Sequence, residues 1–169
     1  EYLNLFDWGS DDKDAFFVHS GLTYSGASTT SITGLDHLDG ETVDVYADGK
    51  VQAQKVVSSN AITIATAAAK VQVGLPYTST IKTLRVEAGS AIGTSQGMKK
   101  RVTRVIVRVL DTLQIKVGDP TTQHDQDLTA IKTGDVEVTH PGGWDTDGQV
   151  VVKCDDPVPC HVLAIIKQL

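Results

Sequence analysis

The run RVTRVIVRV, residues 101–109, decides what this chain can fold into. Read at helical spacing, Val102, Val105, Ile106, Val109, Leu110 and Leu113 form one apolar stripe, with Arg101, Arg104 and Arg108 clustered on another. Read at strand spacing, Thr103, Val105, Val107 and Val109 share one face, while Arg104 and Arg108 point the other way with Ile106 and Leu110 between them. β-Branched side chains lose rotamer freedom in a helix and pack well on a pleated surface, so their density from Val102 to Val109 predicts a long strand.

The rest of the chain reads the same way. AFFVHSGLTYSG, AITIA, KVQVGL and STIKTLRVEAG suggest strands, and three more are expected at 135–139, 149–154 and 161–167, separated by Gly- and Pro-marked turns. TTSITGLDHLDG reads as a loop and DPTTQHDQDLTAIKTG as a polar connection. No helix of ordinary length and no internal repeat is expected. The predicted architecture is all-β: a small β-barrel-like or sandwich domain at 31–80, inserted in or followed by a second antiparallel β-sandwich region at 81–169. Residues 1–30 are read as an N-terminal arm and first strand.

ETVDVYADGKVQAQKVV, residues 41–57, reads as a hairpin about Ala47-Asp48-Gly49. A two-residue Asp48-Gly49 loop would set Val45 against Gln52 and mix polar with apolar side chains. A three-residue loop with Gly49 left-handed instead sets Val45 opposite Val51, Val43 opposite Ala53 and Glu41 opposite Lys55. That register predicts one apolar face with a Glu41/Lys55 pair at its open end, and a second face, bearing Tyr46, turned to water or a partner.

At 169 residues the chain can bury a real core. No run approaches the ~18 apolar residues of a membrane span, and no signal-peptide pattern opens the chain. It begins at Glu1, without a methionine, as a trimmed chain or a piece of a longer polypeptide would. A formal charge of −6 argues against nucleic-acid binding by the whole surface, and 5% aromatics is poor material for stacking platforms. With Cys154 and Cys160 the only cysteines, a reducing site of folding is the simpler reading.

The lead toward an enzyme is GTSQG, residues 93–97, which matches a nucleophile elbow with Ser95 at its centre. An elbow needs a buried strand entering the first glycine and a helix leaving the last. AGSAIG before it and the strand expected after it give neither, so a glycine-rich loop is preferred. Cys154, Cys160 and His161, with His140 as a fourth, depart from zinc-knuckle spacing, and WDTDGQ is a fragment of a calcium loop without its distal Glu. His19, His37, His124, His140 and His161 are scattered among loops and strand ends. No catalytic residue, metal site or cofactor is expected. The charge run at Lys99, Lys100, Arg101, Arg104 and Arg108 reads either as a solvated strand face or as a stripe that touches phosphate or pairs with acids, between subunits or within the chain, the acidic cluster at Asp11, Asp12 and Asp14 being one source of partners.

DAFFVHSGLTYSG, ITGLDHLDGETVDVYADGKVQ, VGLPYTSTIKTL, GTSQGMKKRVTRVIVRVLDT and GGWDTDGQVVVKCDDPVPCHVLAII, in that order, resemble the C-terminal part of virion proteins of short-tailed phages and prophages, the tail nozzle or tail tubular protein B-like family. Proteins of that family normally carry a large N-terminal portion ahead of these segments. The resemblance implies a structural subunit in the virion tail, made in the host bacterial cytoplasm. It implies a homo-oligomeric ring that contacts copies of itself and other tail or portal-adaptor proteins, retains the genome, and passes DNA without sequence-specific binding. It carries over no catalytic residue. The interface candidates are Arg101, Arg104, Arg108, Tyr46, Glu41 and Lys55. A carbohydrate-binding or host-recognition β-domain is the alternative, for which Tyr2, Trp8, Tyr24, Tyr46, Tyr77 and Trp144 would have to gather. A Ser95 hydrolase is the lesser one.

Overall fold

The computed structural model describes residues 11–87, 93–139 and 142–169. The chain is all-β: among these residues are nine strands, every pairing antiparallel, and no α-helix. It divides into two compact units, one running to Thr78 and including Asp155–Pro159, the other formed by Ser79–Cys154 and Cys160–Leu169.

The first unit holds β1 (His19–Thr33), β2 (Thr42–Ala47), β3 (Lys50–Val56) and β4 (Ala61–Leu75), in sheet order β1-β4-β2-β3. The first strand therefore belongs to the same sheet as the hairpin, paired with β4 from His19↔Leu75 to Thr33↔Ala61, rather than to an arm ahead of it. AITIA and KVQVGL, expected as separate short strands, are one continuous β4. β1 pairs with it along its length, and Val71–Gly74 also pair with β2 on the other edge. β1 and β4 approach so closely that a side chain on Gly74 would meet the His19 carbonyl at 2.6 Å. The core gathers Ile32, Leu35, Val43, Val45, Ile62, Val71 and Val73.

The hairpin register differs from the expected one. Ala47 pairs with Lys50, Tyr46 with Val51 and Val45 with Gln52, across a two-residue turn in which Asp48 (φ 47°) and Gly49 (φ 81°) are both left-handed. This is the primed turn whose twist matches that of the flanking strands. The Asp48 carboxylate fixes it by accepting from the backbone N–H groups of Ala69 and Lys70, each at 3.0 Å. A bulge beyond Val45 then shifts the ladder, so Val43 opposes Lys55 and Thr42 opposes Val56. Mixed polar and apolar pairs are tolerated because β2 is an interior strand covered on both faces, with Val43 through Ala47 all buried. Gln52 has its own task. Its amide oxygen accepts from Ala65 N (3.1 Å) and Thr66 N (3.4 Å), and its nitrogen donates to Thr66 O (3.2 Å). These bonds tie β3 to β4.

The second unit is built on β5 (Ser79–Lys82), β6 (Arg104–Gly118), β7 (Gln123–Thr139), β8 (Val151–Cys154) and β9 (Val162–Gln168). The long strand expected from the β-branched run is β6, and it organises the sheet. One edge pairs with β7 along its length. The other pairs first with β9 and then, from Lys116 onward, with β8. β7 starts inside the segment read as a polar connection. A 15-residue neighbouring strand supplies the backbone partners that its polar side chains do not advertise. Val105, Val107, Val109, Ile115, Val117, Val136, Val138 and Val152 form the core of this unit.

Where β6 changes partner, Asp111 takes a left-handed conformation (φ 43°) and the ladder bulges. The exposed polar atoms are satisfied locally. Thr112 Oγ1 accepts from His161 N (2.9 Å) and donates to Leu110 O (3.0 Å), and Thr133 Oγ1 accepts from Asp111 N (3.0 Å). Cys154 at the end of β8 and Cys160 just before β9 are joined by a disulfide, so the reducing-site expectation gives way to an oxidised pair.

Candidate functional site

The interior alternation of β6 dictates its outer face. With Val105, Val107 and Val109 buried, Arg104, Ile106 and Arg108 must face outward. Residues paired directly across an antiparallel ladder share a face, so three rows form. Glu137, Ile106 and Ile166 make the central row. Asp135, Arg108 and Ala164 lie on one side of it, and Arg104 and Gln168 on the other.

Arg108 grips Asp135 with two hydrogen bonds, Nε to Oδ1 at 2.7 Å and a terminal nitrogen to Oδ2 at 3.0 Å. These bonds, with the attraction between the charges, hold Asp135 below the usual carboxylate range and push Arg108 further up. Arg104 reaches Glu137 at 2.5 Å. All four side chains are roughly half exposed. The face therefore has an apolar centre, Ile106 beside the exposed Ile166, flanked by both signs of charge. That is the composition of a contact surface with a polar rim.

Of the residues expected at a contact, this face brings together Arg104 and Arg108. Arg101 is exposed but precedes the strand. The other three belong to the first unit, and their expected arrangement is corrected. Tyr46 is 1% exposed and cannot present a surface; burial, and then the charges of Asp12 and Asp11, push its phenol up to about 12. Glu41 and Lys55 do not oppose each other: Lys55 faces Val43, and the Glu41 carbonyl accepts from Val57 N at 2.9 Å. The three-residue-loop register produced the Glu41/Lys55 error, and reading the pair as half-buried produced the Tyr46 one. The acidic cluster has partners within its own unit, since Asp14 pairs with Lys70. Glu137 and Asp135 were not singled out, although the alternation DVEV places both on one strand face and signals them.

No protein-family model matches the chain. The curated proteins likewise contain no significant match.

The remaining leads resolve locally. Ser95 lies in a loop whose backbone N–H donates to Glu87 Oε1 at 3.0 Å. Gly97 leads through extended residues into β6, without the helix an elbow requires; residues 88–92, where an entering strand would lie, are outside the described residues. In WDTDGQ, Asp145 Oδ1 accepts from Asp147 N (2.7 Å) and Gly148 N (2.5 Å), which is a turn held by its own aspartate. The disulfide removes both thiols from any ligand set, and His140 is outside the described residues. His161 sits buried with Nδ1 2.9 Å from Leu110 O, and desolvation lowers its pKa. Among the described residues no group of three or more His, Cys, Asp or Glu is placed to hold a metal ion. Tyr2 and Trp8 are outside the described residues. Trp144, in the second unit, is 67% exposed, while in the first Tyr77 stacks edge-on against His19 at 4.8 Å.

Proposed function

We propose that this chain is a structural subunit of a short-tailed phage tail that works by assembling into a ring around the DNA conduit. The observation that carries the reading is the outer face of β6, where Ile106 and Ile166 are bracketed by Arg104/Glu137 and Arg108/Asp135. A patch holding both signs of charge about an apolar centre can meet another copy of the same protein or a neighbouring tail protein without leaving a charge unmatched. The ordered resemblance of its segments to tail nozzle proteins supports the same role. So does the charge of −6, because a lumen that attracted phosphate strongly would slow ejection.

Cryo-electron microscopy of the parent particle tests the proposal. The expected result is a ring of this chain in the tail with the β6 outer face at a subunit contact. Particles whose tails lack the chain would overturn the role, and a ring with that face in solvent would overturn the assignment of the contact. The exposed Trp144 favours one second reading, a host-recognition domain that stacks a sugar on that ring. Binding on a glycan array, lost in Trp144→Ala, would promote it.

A further inference from the structure

Lys100 is 8% exposed, the one lysine or arginine buried to this degree among the described residues. Its backbone pairs with Asp145, and its ammonium donates to Val86 O (2.8 Å) and Thr146 O (3.2 Å), which uses two of its three donors. A buried lysine normally has a counter-charge, because desolvation penalises an ion that only neutral carbonyls hold. Here no described carboxylate lies within 4.0 Å of Nζ. The stretches nearest in sequence, AGSAI at 88–92 and HP at 140–141, contain no acid.

The surrounding acids are engaged elsewhere. Asp145 closes its own turn, and Asp147 takes Arg85 Nε at 3.1 Å. Glu87 accepts from Thr94 Oγ1 (2.7 Å) and Ser95 N (3.0 Å), and those bonds, more than Lys100, hold it below the usual carboxylate range. Beside Lys100 opens a cavity of about 140 Å³ lined by Arg85, Gln96, Gly97, Lys100, Thr146 and Asp147. Arg85, 72% exposed along its side chain, approaches Asp147 through Nε and makes no other ion pair among the described residues.

We propose that this cavity binds one small oxyanion, a carboxylate or a phosphate group, with Lys100 as the inner cation and Arg85 as the outer one. Its volume corresponds to four or five water molecules at ~30 Å³ each. That admits a single anionic group, whereas drug-sized ligands occupy roughly 300 Å³ or more. Asp147 and Glu87 offset part of the positive field, so the affinity expected is on the order of 1 mM.

The test is an NMR titration of the isotope-labelled chain with sodium acetate and, separately, sodium phosphate, with chloride holding ionic strength constant. The amides of Gln96, Gly97, Lys100 and Thr146 should shift and saturate with at least one anion, and comparison of the two arms identifies the group. Lys100→Met should weaken that binding about tenfold or more and Arg85→Ser several-fold, as expected for charge-assisted contacts. Absence of saturable shifts at these amides with both anions overturns the proposal, as does saturation unchanged in both variants. If Lys100→Met does not fold, Arg85→Ser, altered only on an exposed side chain, decides: binding undiminished in that variant overturns the site.

Discussion

A carboxylate enclosed by its own fold, as Asp44 is, resists ionisation. Burial raises its pKa first; Gln54, donating at 2.8 Å, opposes that, and the charges of Asp156 and Asp155 add to the rise. A folded-state pKa above the unfolded value means that the associated stability is fully present below the ordinary aspartate value of 3.8 and is lost as pH rises through the raised one. Asp44→Asn keeps the oxygen that Gln54 uses and removes the titration. Urea denaturation should find the variant at least as stable as wild type at neutral pH, the two converging on acidification; a gap independent of pH would contradict this. At the hairpin tip, Gly49→Val should cost on the order of 1 kcal/mol or more, since a β-branched residue is forced left-handed, while Gly49→Asn should be mild. Equal losses in thermal denaturation would remove the primed turn.

β6 and β7 carry the prediction that separates folding from assembly. Arg108→Asp alone places like charges opposite each other and should cost about 0.2–1 kcal/mol, and adding Asp135→Arg should restore the pair. The doubly exchanged chain should fold as wild type. Reversing Arg104 and Arg108 together to Glu should impair ring formation, more at low salt than at high, because exposed charges are screened. Wild-type rings from that variant, counted by electron microscopy, would show the face to be ordinary solvated surface. Reading these strands from sequence succeeded where side chains decide and failed where backbone partners do. Val102–Val109 announced β6 through its branched side chains. Gln123–Lys132 concealed the start of β7, because Gln, His and Asp describe the water side of a strand whose backbone is satisfied by β6. The two arginines on the outer face of β6 were legible for the same reason, and their acidic partners waited on knowing which strand lies beside which. Tyr46 misled because alternation cannot tell a face open to water from a buried one, here with Asp11 and Asp12, far off in sequence, close enough to act on its phenol.

At the scale of the molecule, the disulfide closes the short loop between β8 and β9, and the chain-entropy relation gives about 2 kcal/mol for a loop of this length. Thiol alkylation followed by mass spectrometry should find no free cysteine in the oxidised chain, and reductant or Cys160→Ser should lower the melting temperature of the second unit; no change in melting would contradict the estimate. The loop so closed, Asp155–Pro159, groups with the first unit, its Pro157, Val158 and Pro159 buried. During synthesis that membership becomes a matter of time. When Thr78 leaves the ribosome, the first unit still lacks five residues that follow almost the whole of the second. At ~5–20 residues per second, the roughly 80 residues between them take about 4–16 s. Through that interval the nascent first unit is incomplete, its β2 without the segment that brings Asp155 and Asp156 to Asp44, and it finishes folding only as the last strand is being made.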